Sequence, residues 1–200
     1  MEQFTLMIDR ISAGLGKAFA WCIMLLTFGV GYEVFMRYVL RAPTTWAFDI
    51  SYIMYGALFM MAGAYTLSRN AHVRGDVVYR LMSPRGQGLM DLLLYLIFFF
   101  PAFGAMLIYG FPYAQMSWRF NEVSIYSPAG VPIYPSKIII PLAASFMLLQ
   151  GLAEVIRCCL AIKNNQWPRR LHDVEEMETM ILREAQDQAR AAVAKGGTAL

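Results

Sequence analysis

Charge is scarce in this sequence. Charged residues make up 16% of the 200 and hydrophobic residues 58%, with a mean hydropathy of +0.45, whereas a soluble globular domain carries about 25% charge. Half of the acids and seven of the seventeen bases fall after residue 153, so the first three-quarters of the chain is poorer still. A soluble core of this size could not hide so much apolar surface, and intrinsic disorder is excluded by the same numbers. Cysteine is also scarce. Three residues, Cys22, Cys158 and Cys159, leave one unpaired and exclude a disulfide scaffold. The two histidines, His72 and His172, lie outside the long apolar runs, which argues against haem held between helices. A net charge of +3 is too small to suggest a nucleic-acid partner.

What is present is a set of four uncharged runs: 18–32 (continuing past Glu33 to Met36), 50–68, 92–118 and 138–153. A helix needs about 20 apolar residues to cross a hydrocarbon core of about 30 Å. The expected fold is therefore an all-α integral membrane protein with transmembrane helices near 14–39, 50–68, 91–116 and 137–160. Residues 1–162 form the membrane domain and 163–200 a cytoplasmic tail, partly helical and then disordered. Pro101 and Pro112 predict a kinked or tilted third helix. Basic residues set the orientation. Arg10, Lys17, Arg69, Arg74, Arg80, Arg85, Arg157, Lys163, Arg169 and Arg170 gather on one side, against Arg37, Arg41, Arg119 and Lys137 on the other. Both termini and the loop of residues 69–91 are thus expected in the cytoplasm. The first helix lacks a cleavable signal pattern.

In the 69–91 loop, Val73, Val77, Val78 and Leu81 share a helical face flanked by Arg74 and Arg80. That pattern predicts a short interfacial helix with its bases toward phospholipid headgroups, ended by Pro84 and Gly86. The loop of residues 119–137, with Pro128, Pro132 and Pro135, is expected to be extended and stiff.

Residues with chemical capacity are few. No metal-ligand spacing, phosphate loop or nucleophile elbow occurs, and no cofactor is expected. Glu33 is the one acid inside an apolar helix, where a charge costs roughly 2.5–3.5 kcal/mol at mid-bilayer on insertion scales. Arg37 follows in the favourable i,i+4 order, so the two suit a structural ion pair, and Arg37→Ala is expected to hurt more than Glu33→Gln. A proton- or ion-coupling role for Glu33, or contact with another subunit, remain the alternatives. Ahead of the second helix, Thr44 or Thr45 could cap, Trp46 suits the aromatic belt and Asp49 favours the positive helix end. Small residues at Gly56, Ala57, Ala62, Gly63 and Ala64, and at Ala102, Gly104, Ala105 and Gly110, mark close-packing faces.

Taken together, Arg37-Tyr38, Trp46-x-x-Asp49 and His72-Val73-Arg74-x-Asp76 around the first two helices resemble the small membrane subunit of tripartite ATP-independent periplasmic (TRAP) transporters. The later run of Trp118, Glu122, Ser124, Pro132, Pro135-x-Lys137, Pro141, Gln150-Gly151 and Glu154 is similar to the branch linked to organic-acid uptake. The likeness covers about residues 8–162. The family often has two adjacent acids after the tryptophan, where this chain has Asp49 followed by Ile50.

The resemblance implies a subunit with no substrate site of its own, held in the bacterial inner membrane. It would brace a large elevator-type permease subunit that moves solute with sodium, supplied by a soluble periplasmic solute-binding protein. Glu33, Arg37, Trp46, Asp49, Arg74, Asp76, Glu122 and Lys137 are the structural or interface candidates. The rival is a self-sufficient dimeric proton-coupled exporter using Glu33, and a membrane redox or haem subunit is a weaker one.

Overall fold

The computed structural model describes residues 2–70, 79 and 81–168. Arg74, Asp76, most of the expected interfacial helix (residues 71–78 and 80) and the tail from 169 onward lie outside the described residues. Within them the protein is all-helical, with one isolated antiparallel bridge between Val123 and Pro132. Helix α1 runs Glu2–Tyr38, α2 Ala47–Ser68, α3 Pro84–Leu94, α4 Phe100–Arg119 and α5 Tyr134–Asn164. A π-helical turn, Tyr95–Phe99, joins α3 to α4, so that Pro84–Arg119 is one continuous rod. Four helices are thus long and apolar enough to cross a membrane.

The helix ends differ from the sequence expectation in physically instructive ways. Helix α1 begins twelve residues before position 14, because Asp9 is buried against another helix instead of marking an aqueous boundary. At about 1.5 Å per residue its 37 residues span roughly 55 Å, well beyond the hydrocarbon core, so its first turns extend past the membrane. The third rod starts at Pro84, not near 91. Ser83 is its N-cap, its hydroxyl accepting from Gly86 N (3.4 Å), and Pro84 occupies the first turn, where no backbone N–H is needed. Gly86 therefore lies inside α3. Asp91, another apparent boundary, is buried within α3 and accepts from Tyr79 Oη at 2.9 Å.

Pro101 follows the π turn directly. Its ring would press on the carbonyl four residues back, and the wider π turn supplies the room, so the distortion sits ahead of the proline. Pro112 lies inside α4 and Pro141 inside α5, where the Pro141 carbonyl accepts from Ser145 Oγ at 2.8 Å.

The principal contacts run from α1 to α2, from α2 to α5, and from α5 to the α3–α4 rod. The helices thus stand in a row, with α2 and α5 inside and α1 and α4 toward the edges, except that the start of α1 crosses to meet α5 directly. The inner seam is lined by small or flexible groups: Ala57, Met61 and Ala64 from α2 face Ala143, Ala144 and Met147 from α5. Two glycines set the spacing. A Cβ on Gly16 would lie 2.5 Å from Tyr65 Cβ, and one on Gly151 2.3 Å from the Phe99 ring, so a side chain at Gly16 would push α1 off α2 and one at Gly151 would displace the Phe99 ring. Gly56 and Gly104, by contrast, face open space. Large apolar side chains point outward, among them Trp21, Phe28 and Phe35 on α1 and Ile108, Tyr109 and Phe111 on α4. Polar groups inside and apolar groups outside is the arrangement a lipid solvent selects.

Candidate functional site

Among the described residues, the largest fully buried side chains are mostly polar. Arg157, Gln150 and Glu154 project from one face of α5 at i, i+4 and i+7 spacing, and Asp9 and Ser12 meet them from α1, each no more than 2% exposed. Arg157 Nη2 donates to Asp9 Oδ2 and Nη1 to Glu154 Oε1, both at 2.5 Å. Gln150 Nε2 donates to Asp9 Oδ1 (2.9 Å) and its Oε1 accepts from Ser12 Oγ (2.8 Å). One guanidinium thus bridges carboxylates on two helices, with a carboxamide completing the set. The tie joins the start of α1 to the latter half of α5, at the end of the row where Arg10, Lys17, Arg69 and Lys163 also lie. Sequence reasoning counted Arg157 only among the bases that set orientation, and did not single out Asp9. The local signal was available on α5, where three polar groups recur on one face of an apolar helix.

At the opposite end, Glu33 is a junction between α1 and the turn into α2. Its Oε1 accepts from Arg37 Nε (3.0 Å) and Nη2 (2.6 Å), while Oε2 accepts from Thr44 N (3.0 Å) and from the Thr44 hydroxyl. Arg37 is 55% exposed at its side chain and Glu33 only 15%. Thr44 therefore does not cap α2 as the sequence suggested. Trp46 holds the N-cap position without a side-chain hydrogen bond and stacks on Tyr32, with ring centroids 6.2 Å apart.

Asp49 is buried in the first turn of α2 and accepts from Ser124 Oγ (2.7 Å) and from the Ser127 hydroxyl. It fastens the 120–133 loop over α2, a function that its place in the sequence did not reveal. The loop itself folds back instead of running extended: Ser124 N donates to Val131 O (2.8 Å), Ile133 N to Glu122 O (3.0 Å), and Gly130 takes φ +62° at the turn. Glu122 accepts from Lys137 Nζ at 2.6 Å, and that nitrogen sits 4.2 Å from the Tyr113 ring centroid. The lysine beside it holds the Glu122 carboxyl below the ordinary glutamate range. Asp49, Glu122, Lys137, Tyr113 and Ser124 line a cavity of about 410 Å³ between α2, α5 and this loop.

Of the expected site residues, the structure pairs Glu33 with Arg37 and Glu122 with Lys137, and sets Asp49 beside the Glu122 loop. Trp46 stays near Glu33 through the same turn. All six stand at one end of the row, and the charged groups among them are engaged by protein partners or exposed at the rim.

The geometry is that of a braced membrane wall, tied by a buried ionic cluster at one end and by loop-fastening carboxylates at the other. A search of curated proteins finds no match to the chain. The family model described as Tripartite ATP-independent periplasmic transporters, DctQ component, matches residues 17–160, from within α1 to near the end of α5. The chain belongs to this family of transporter components, the small membrane components of TRAP transporters.

Proposed function

We propose that the protein is the non-catalytic scaffold subunit of a sodium-coupled, binding-protein-dependent secondary transporter for organic acids. Its partners are a large multi-span elevator-type permease subunit, a soluble periplasmic solute-binding protein and the phospholipids of the bacterial inner membrane. The termini and the basic end of the row are cytoplasmic, following the bias of Lys and Arg.

The observation that carries this reading is the row itself. Helices α1 and α4 carry broad apolar faces outward, while close glycine contacts tie α1 to α2 and α5 to the π turn, and the Arg157 cluster ties α1 to α5. A wall of this kind is wide in the membrane plane and resists bending, which is what a moving neighbour needs to push against. The engagement of Glu33 by Arg37 and Thr44 supports the same reading over the proton-coupled exporter, since a coupling acid must exchange partners during a cycle.

Reconstitution tests it. Vesicles holding the full chain alone should show no sodium- or proton-driven organic-acid uptake, and uptake should appear when the large subunit and the binding protein are added. Uptake by the lone chain that is abolished by Glu33→Gln would favour the exporter.

A further inference from the structure

At the basic end of the row, α1 and the last turn of α2 enclose a cavity of about 270 Å³ lined by Asp9, Arg10, Ala13, Gly14, Lys17, Ser68 and Arg69. Its floor is made by α1. Arg10 and Lys17 are seven residues apart, one above the other on the same helical face, with Ala13 and Gly14 between them. Small residues there leave a hollow where a longer side chain would stand, and a Cβ on Gly14 would meet nothing within 4 Å. Arg69 closes the third side from the C-cap of α2, its guanidinium resting over the Tyr65 ring 5.1 Å from the centroid. Asp9, the acid of the lining, is already committed to Arg157 and Gln150. Among the described residues, neither Arg10 nor Lys17 is paired with a carboxylate, so the described lining sets three cations around the hollow against one acid, Asp9, that is engaged elsewhere.

The same face of α1 changes character below Lys17. Trp21, Met24 and Phe28 continue the three- and four-residue spacing of Arg10, Gly14 and Lys17, and all three are exposed. Lys17 is the last charge before the uncharged run begins at Ala18, which places the change at the boundary between headgroups and hydrocarbon. A cationic hollow directly above an exposed aromatic and aliphatic stripe is complementary to an amphiphile with an anionic head and an apolar tail. A free phosphate would use only the upper half.

We propose that this hollow is a binding site for the phosphate headgroup of an anionic phospholipid, whose acyl chain lies along Trp21, Met24 and Phe28. The site stands independently of the scaffold reading. It would fix a lipid at the outer edge of α1, making that edge a protein–lipid surface of defined composition.

Trp21 supplies the reporter. The full chain is placed in phosphatidylcholine vesicles carrying increasing fractions of acyl-brominated phosphatidylglycerol or, in parallel, acyl-brominated phosphatidylcholine. Quenching of Trp21 is taken as the difference between the wild type and Trp21→Phe. Phosphatidylglycerol should quench at a clearly lower fraction than phosphatidylcholine, and Arg10→Gln or Lys17→Gln should each reduce that preference by about fivefold, from roughly 1 kcal/mol per base near a membrane surface. Gly14→Leu keeps every charge and enters open space, so it leaves the fold intact while filling the hollow, and it should also abolish most of the preference. Equal quenching by the two lipids overturns the proposal, as does a preference untouched by Gly14→Leu, which would mean diffuse attraction and no site. Displacement of the brominated lipid by inorganic phosphate alone would overturn the lipid assignment in favour of a free anion.

Discussion

Removing Arg157 tests the energetic centre of the fold. Among the described residues, Asp9, Glu154 and Arg157 form a buried set in which one cation serves two carboxylates, each at 2.5 Å. Arg157→Ala leaves both acids, on α1 and α5, without the guanidinium that joins them. Breaking a buried ion pair from one side costs about 3–5 kcal/mol, because the remaining charge keeps its desolvation penalty and loses its counterion. For a chain of this length each kcal/mol moves the thermal midpoint by about 2–4 °C, so the variant should melt roughly 6–20 °C below wild type in detergent. Asp9→Asn is the informative companion. It leaves one carboxylate facing one guanidinium, a balanced pair, and Gln150 Nε2 still has the Asn carbonyl to donate to, so its cost should be well under half that of Arg157→Ala. Neutralising both, Asp9→Asn with Arg157→Met, should recover part of the loss, since the two penalties are coupled. An Arg157→Ala midpoint within about 2 °C of wild type, or an Asp9→Asn variant that melts as low as Arg157→Ala, would refute the reasoning.

Three other outcomes follow from the geometry at the opposite end. Reversing the order expected from the sequence, Glu33→Ala should lower the thermal midpoint more than Arg37→Ala, because Glu33 also holds the Thr44 amide and hydroxyl whereas Arg37 is already half in solvent; equal or reversed effects would contradict the junction role. The Glu122 carboxyl is depressed by Lys137, so its contribution is present above the ordinary glutamate range and lost as pH falls through the lowered value. The stability difference between wild type and Glu122→Gln should therefore shrink on acidification below that range, and a difference that grows would have the wrong sign. For orientation, a cysteine at Ala129→Cys should react with an impermeant thiol reagent from the periplasm and one at Gly75→Cys should not, and the reverse pattern would invert the topology.

How far the sequence disclosed this fold depends on whether a signal was local. Uncharged runs located all four membrane-crossing helices, because hydropathy acts residue by residue. Helix starts were misplaced where the end of an uncharged run was taken as the end of the helix: Asp9 and Asp91 both stand outside those runs and yet are buried against partners from other turns of the chain. The i,i+4 relation of Glu33 and Arg37 was visible for the same local reason, while Thr44, eleven residues from Glu33, came into reach only through the turn between α1 and α2. Asp49 was recognised as a helix-start residue, but its serine partners lie 75 and 78 positions away and no periodicity could have named them. Pro101 announced a distortion without saying which way the backbone would yield, and the answer was a π turn ahead of it.

The tie between residues 9 and 157 also has a meaning in time. Its two halves are 148 positions apart, so the first helix enters the membrane long before its partner has been synthesised. During that interval Asp9 stands in the turns of α1 that extend past the hydrocarbon, where water hydrates it at little cost. When α5 arrives with Gln150, Glu154 and Arg157 on one face, the waiting carboxylate is claimed and the chain closes on itself. A truncated product lacking the last helix would keep an unclaimed acid and an unfilled groove beside it. The cell's proteolytic surveillance would therefore have a chemical mark by which unfinished copies differ from finished ones.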